Sequence, residues 1–322
     1  MENNEILRLN SVKTHFFTEE GVVKAVDDVS LTIRRGEALG LVGESGCGKS
    51  MTALSILRLV PNPPGDIVGG KIHFKGRDLL KLPEKEMRRI RGKSISMVFQ
   101  EPSTSMNPAF TIGNQMKEVI KFHQGGSGNR IRERVSDILR AVQIPDPERV
   151  LSQYPHQLSG GMLQRVMIAM GISCEPDLLI CDEPTTALDV STQAQIIKLL
   201  NELRTKRDTS LLFITHDLGV LSWVCTSAAV MYAGNIVEYA DIGTILLNPR
   251  HPYTLALIGS TPRLDRDANT LRVIKGQVPN LARPPSGCKF HPRCELAEET
   301  CKVESPPLVE KKEGHWIACH LA

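Results

Sequence analysis

The segment Gly43-Glu44-Ser45-Gly46-Cys47-Gly48-Lys49-Ser50 fits the spacing G-x-x-x-x-G-K-[ST]. It follows the apolar run Ala38-Leu39-Gly40-Leu41-Val42 and opens a helical run from Ser50 to Val60. Strand, glycine-rich loop and helix in that order are the setting in which this spacing wraps a phosphate. The glycines let backbone N–H groups turn inward without a Cβ clash, and the helix N-terminus adds partial positive charge. Lys49 is expected to reach the β- and γ-phosphates of a nucleoside triphosphate, and the Ser50 hydroxyl to bind Mg²⁺. Gly43, Ser45, Gly46, Cys47, Gly48 and Met51 are expected around the phosphate chain.

A second chemical element lies further along. Leu178-Leu179-Ile180-Cys181-Asp182-Glu183 is an apolar strand that ends in two carboxylates. In an open α/β sheet, ligands bind at the carboxyl ends of the strands. Asp182 is expected to orient Mg²⁺ through water, which leaves Glu183 free to act as base or to position the attacking water.

The elements that must position these groups follow from periodicity. Ile6-Leu7-Arg8-Leu9 and the run from Ala25 to Ile33 alternate as strands, and Arg35-Gly36-Glu37 turns the chain. Ile95 to Phe99, Leu178 to Cys181 and Ser210 to Thr215 read as further strands, and Ala228 to Tyr232 and Ile236 to Tyr239 as a pair turning at Gly234-Asn235. From about Gly113 to Gly171 the pattern is helical, broken at Gln124 to Asn129. Pro61-Asn62-Pro63-Pro64-Gly65 stops the helix after the glycine-rich loop. Strands alternating with helices imply an α/β core with a mainly parallel sheet. Beyond Asn248-Pro249, Pro, Cys and charge rise and long periodic helices disappear, so a boundary is expected there.

Composition limits the alternatives. At 322 residues, one large domain plus a smaller one is expected. Hydrophobic residues at 41% and charged residues at 23% exclude a disordered chain, a collagen and a coiled-coil rod. A net charge of +3 gives no general electrostatic grip on nucleic acid. No apolar stretch reaches the roughly 18 residues that span a bilayer, and the N-terminus lacks the apolar core of a signal peptide. The expectation is a cytosolic protein with reduced cysteines, unless they hold a metal.

Between the two phosphate-handling elements lies Leu158-Ser159-Gly160-Gly161-Met162, followed by Gln164-Arg165. With the loop before it and Asp182-Glu183 after it, the chain resembles the ABC-transporter ATPase family over nearly its whole length. The family's signature usually reads L-S-G-G-Q, so Met162 is a departure, while Ser159, Gly160 and Gly161 are intact. The resemblance implies a P-loop NTPase core, an N-terminal antiparallel β subdomain and a helical subdomain at about 101–175. It also implies roles for single residues: Gln100 as the glutamine that binds Mg²⁺ or the attacking water, His216 as the switch histidine on the γ-phosphate, and Ala187-Leu188-Asp189 as the loop that crosses to a second subunit. Phe16, with Phe17 as its competitor, is implied to stack on adenine. ATP would lie between the loop of one subunit and Ser159 to Gly161 of another, identical or related. Glu183 would activate water for in-line attack.

After the boundary, His251-Pro252-Tyr253-Thr254 and the tail Gly287 to Cys294 resemble the C-terminal extension of the dipeptide/oligopeptide (and nickel) importer branch. The expected division is thus 1–248 for the ATPase and 249–322 for the extension. Cys288, Cys294, Cys301 and Cys319 are spaced C-x5-C-x6-C-x17-C. Spacing alone leaves a metal or cluster, free thiols and disulfides open. The branch resemblance implies a [4Fe–4S] cluster, with zinc as the alternative; no C-x2-C knuckle is present. His291, His315 and His320 are candidate substitute ligands, expected rather as surface or supporting groups. The implied function is the ATP-hydrolysing subunit of a peptide importer at the cytoplasmic face of the membrane. Its partners would be permease subunits, a second ATPase chain and, indirectly, a peptide-binding protein. A nickel importer, a soluble ABC ATPase and an iron–sulfur nucleotide sensor are the other readings.

Overall fold

The structure is a computed structural model that describes residues 4–185, 188–260 and 274–322. In chain order its elements are β1 (Glu5–Thr18), β2 (Gly21–Arg34), β3 (Ala38–Val42), α1 (Lys49–Ile56), β4 (Gly65–Phe74), β5 (Arg77–Asp78), α2 (Glu84–Ile90), β6 (Ile95–Val98), α3 (Pro102–Ser105), α4 (Ile112–Gln124), α5 (Gly128–Ala141), α6 (Pro147–Ser152), α7 (Gly160–Ile172) and β7 (Leu178–Asp182). There follow α8 (Val190–Arg207), β8 (Ser210–Thr215), α9 (Leu218–Val224), β9 (Ser227–Tyr232), β10 (Asn235–Asp241), α10 (Ile242–Leu247), α11 (Pro252–Ser260), α12 (Glu299–Val303), β11 (Val309–Lys312) and β12 (His315–Ile317). The chain divides into two compact units.

The first unit takes 1–34, 38–81 and 213–322. In it β1 pairs antiparallel with β2 and β4, and β4 with β5. Alternation puts Leu7 and Leu9 of β1, and Val29, Leu31 and Ile33 of β2, in the core, and a register shift after Leu9 brings Val12 there too. The second sheet of this unit is mixed. β3 runs parallel to β9, and β9 pairs antiparallel with β10, β10 with β12, and β12 with β11. β3 and β9 are buried at every residue, as an apolar run covered on both faces requires. The C-terminal extension therefore adds β12 and β11 to the edge of this sheet.

One local expectation shifts. The helix after the loop stops at Ile56 rather than Val60: Arg58 takes φ 52° and the Leu59 N–H reaches back to the Leu54 carbonyl, ahead of the prolines. Beyond Asn248, where no long periodic helix is expected, a nine-residue helix, α11, forms and buries Tyr253, Thr254 and Leu257.

The second unit takes 35–37 and 82–212. β6 and β7 are parallel, with Val98 beside Cys181. The helical stretch breaks into α4 to α7, with Gly125 at φ 68° closing α4. Thr111 and Ser159 cap α4 and α7 by accepting the Asn114 and Met162 N–H groups. α5 is amphipathic, with Ile131, Val135, Ile138 and Leu139 inward. α7 buries Leu163, Val166, Met167 and Ile168, apolar on more than one face, as an interior helix must be. No helix among the described residues is long and apolar enough to cross a membrane.

Candidate nucleotide site

The loop at the end of β3 is built by glycines that nothing else can replace. Gly48 sits at φ 108°, and a Cβ there would lie 2.2 Å from the Ala25 carbonyl oxygen. A Cβ on Gly43 would lie 2.2 Å from the Met231 carbonyl oxygen. The loop is thus clamped against β2 and β9 by its own lack of side chains. At Gly46, by contrast, a Cβ would meet nothing within 4 Å, which leaves that stretch of backbone open to a ligand. Lys49 is buried and donates from Nζ to the Gly43 carbonyl at 2.7 Å and the Glu44 carbonyl at 2.9 Å. Ser50 is the second residue of α1, whose N-terminal cap is the left-handed Gly48. Burial pushes the Cys47 thiol up, and the Lys49 ammonium only partly offsets this. Cys47 is a packed small hydrophobe here.

Phe16 lies on β1 opposite Val23 and beside Gly65, half-buried, whereas Phe17 is 55% exposed. His216 follows β8 and is exposed; its neighbour Asp217 caps α9 by accepting the Gly219 N–H at 2.7 Å. These residues share the first unit with the loop.

In the second unit, β7 delivers Asp182, buried, and Glu183, half-buried with φ 45°. A non-glycine residue in the left-handed region costs about 1–3 kcal/mol and clusters at functional sites. Gln100, just past β6, donates from Nε2 to Glu183 Oε2 at 3.2 Å. The structure thus brings together two residues assigned to the hydrolytic step. Ser159 caps α7, and Gly160 is exposed with open space where a Cβ would stand. A Cβ on Gly161 would make ordinary contact with Thr192 and Leu188. Neither glycine is demanded by this unit's own packing. Asp189 caps α8, accepting from the Thr192 N–H at 2.9 Å and its hydroxyl at 2.8 Å, and these bonds hold its carboxyl below the usual range. Ala187 lies outside the described residues.

The four cysteines of the extension gather in the first unit. Cys288, Cys294, Cys301 and Cys319 line one small pocket with His251, His291 and His320. The Cys288 N–H donates to the Cys301 carbonyl at 2.8 Å, and a short turn from His291 to Arg293 links Cys288 to Cys294. Burial pushes the Cys288, Cys294 and Cys319 thiols up. All four are free thiols. Four thiols around one pocket are the donor chemistry of an iron–sulfur or zinc site. Yet no group of three or more His, Cys, Asp and Glu among the described residues is arranged to hold a metal ion. His291 Nδ1 bonds the Cys288 carbonyl and His320 Nε2 the Glu304 carbonyl. His315 is buried against Glu238 at 2.7 Å.

Sequence reasoning missed a set of residues that meets the phosphate loop. The Tyr253 hydroxyl accepts the Glu44 N–H at 2.8 Å. Arg293 grips the Glu44 carboxylate with both terminal nitrogens, at 2.7 and 2.9 Å, and donates to the Tyr232 hydroxyl at 3.3 Å. Tyr232, Tyr253 and Phe290 pack as an aromatic cluster, with centroids 4.6 to 5.3 Å apart. Tyr253 and Arg293 lie inside the two segments that mark the extension, so the signal was present without a partner to attach it to.

Known proteins carry the same two-part layout. The family described as ABC transporter matches residues 26–186, and that described as oligopeptide/dipeptide transporter, C-terminal region, matches 237–301. A "Probable peptide ABC transporter ATP-binding protein" of Sinorhizobium fredii is 49% identical over 98% of this chain and 94% of its own length. The dipeptide transport ATP-binding protein DppD of Escherichia coli is 46% identical over 98% of this chain and 96% of its own. Among solved structures, a dimeric ATP-binding cassette in a post-hydrolysis state with ADP and phosphate superposes with a TM-score of 0.67 at 27% identity, over 74% of this chain and 99% of that one. The loop, the carboxylate strand and the extension thus belong together, and the chain is a member of the ABC-transporter ATP-binding family, an ATPase of its oligopeptide/dipeptide transporter branch.

Proposed function

We propose that the chain hydrolyses ATP to drive uptake of dipeptides or oligopeptides through membrane permease subunits, working as one of a pair of ATPase chains on the cytoplasmic face. The observation that carries this reading is the glycine-clamped loop that holds Lys49, in a chain whose C-terminal part matches the peptide-transporter region. The functional division is 1–248 for the ATPase and 249–322 for the extension.

Each residue's part follows from its chemistry. Lys49 and the backbone of Gly43 to Met51 bind the phosphate chain of ATP. Ser50, Asp182 and Gln100 would hold Mg²⁺, which when bound neutralises charge on the β- and γ-phosphates. Glu183 accepts a proton from the attacking water, and Gln100, already bonded to it, orients that water. His216 donates to the γ-phosphate, and Phe16 stacks on the base. Ser159, Gly160 and Gly161 meet the γ-phosphate held by the partner chain, where the α7 N-terminus adds its dipole. The open space at Gly160 supports such an approach.

The four thiols are proposed to hold a [4Fe–4S] cluster; the shared pocket supports this. A small extension rich in Pro gains most from a metal as a staple. Anaerobic purification with iron and sulfide analysis tests it. Four irons per chain, lost in Cys294→Ser, is the expected result; a colourless protein with one zinc per chain overturns it. For the transport reading, the test is ATPase activity with and without permease vesicles. Stimulation by permease and peptide-binding protein supports it, and a rate indifferent to both rejects it.

A further inference from the structure

Glu44 stands in the phosphate loop but is held on three sides. Its carbonyl accepts from Lys49 Nζ at 2.9 Å, its N–H donates to the Tyr253 hydroxyl at 2.8 Å, and its carboxylate takes both terminal nitrogens of Arg293. Two of these three partners come from beyond Asn248. Arg293 is itself fixed: its side chain is 5% exposed, and its Nε donates to the Lys275 carbonyl at 2.9 Å. Tyr253 is fully buried, packed on Tyr232 and Phe290.

A carboxylate one residue from the start of a phosphate cradle repels the anion the cradle binds. A bidentate guanidinium cancels that charge and fixes its direction at once, which an ammonium does not. Glu44 also joins Arg293 and Tyr253 to the Lys49 ammonium through a single residue.

We propose that Arg293 and Tyr253 are positioning residues for ATP binding: through Glu44 they set the shape and charge of the phosphate loop, so the C-terminal extension tunes nucleotide affinity. This rests on reading Gly43 to Ser50 as the ATP loop. It assigns the extension a role on the ATP site that is separate from any metal it holds.

The test measures Kd for a fluorescent ATP analogue, and KM and kcat for ATP hydrolysis, on the purified full chain. Arg293→Gln is expected to raise Kd and KM about tenfold, with kcat within about twofold, as for loss of one charge-assisted pair. Arg293→Lys is expected in between, about threefold, because it keeps the charge and loses the fork. The double variant Glu44→Gln with Arg293→Gln is expected to return to within about threefold of the parent, because no carboxylate is left to neutralise. A merely structural Arg293 predicts a double variant as weak as the single one; that result, or an unchanged Kd in Arg293→Gln, overturns the proposal. If Arg293→Gln does not fold, Tyr253→Phe is decisive: Kd should rise about threefold through loss of one hydrogen bond, and an unchanged Kd refutes the brace. Lys49→Ala separates the two readings. If it binds the analogue as the parent does, the loop reading has failed rather than the brace.

Discussion

Gln100 Nε2 donates to Glu183 Oε2 at 3.2 Å, across 83 residues of sequence. The bond joins the end of β6 to the end of β7, two parallel strands in register from Ile95 beside Leu178 to Val98 beside Cys181. It holds the carboxylate proposed as base beside the amide proposed to orient water. Glu183 keeps this place at the cost of a left-handed backbone.

Glu183→Gln should lower ATP turnover by about 10²–10⁴-fold, the usual worth of a positioned general base. It should still bind ATP, because the loop is untouched. With Mg²⁺ and ATP the variant should run as a dimer on size exclusion. Turnover near the parent rate would remove Glu183 from the role.

Gln100→Ala should lower kcat by about tenfold through loss of one orienting hydrogen bond, and leave the Kd for ATP within about threefold. Single-turnover hydrolysis separates the two effects. A large loss of affinity with normal turnover would place Gln100 in ground-state binding instead.

Gly48→Ala should abolish nucleotide binding, because a Cβ would stand 2.2 Å from the Ala25 carbonyl oxygen at a backbone angle of φ 108°. Gly46→Ala meets no neighbour within 4 Å, but its φ of 78° strains a side chain, so it should fold with a loss of about 1–2 kcal/mol. Comparing the two by thermal denaturation, then by ATP binding, distinguishes steric clamping of the loop from its ligand contacts.

Glu238→Ala should loosen the C-terminal extension. Glu238 is fully buried and accepts from the Arg250 N–H at 2.7 Å, the His251 N–H at 3.1 Å and His315 at 2.7 Å. Removing one side of such a buried hydrogen-bonded set costs about 3–5 kcal/mol. Limited proteolysis should then cut between β10 and β12 sooner than in the parent, and equal cutting rates would show that the extension is held elsewhere.

Local chemistry makes the ATP loop and the carboxylate strand legible in the amino-acid order alone. Gly43 to Ser50 and Leu178 to Glu183 are short, and each carries its own context. The fully buried strands are legible for the same reason, since an apolar run bounded by turns leaves few alternatives. Helix ends are less so: α1 stops at Ile56 because of a left-handed Arg58, which no propensity announces. The hold on Glu44 is not legible at all. Arg293 lies 249 residues from it, and its segment is held beside the loop by contacts such as Lys289 with Asp27 and the Ala233 carbonyl and Phe290 against Tyr232.

On the proposed function, ATP hydrolysis by this chain powers peptide movement across a membrane. The decisive experiment is reconstitution with permease subunits and a peptide-binding protein in vesicles, with labelled dipeptide and oligopeptide. Peptide accumulation that requires ATP and stops in Glu183→Gln is the predicted result. ATP hydrolysis that proceeds without moving either peptide would contradict it.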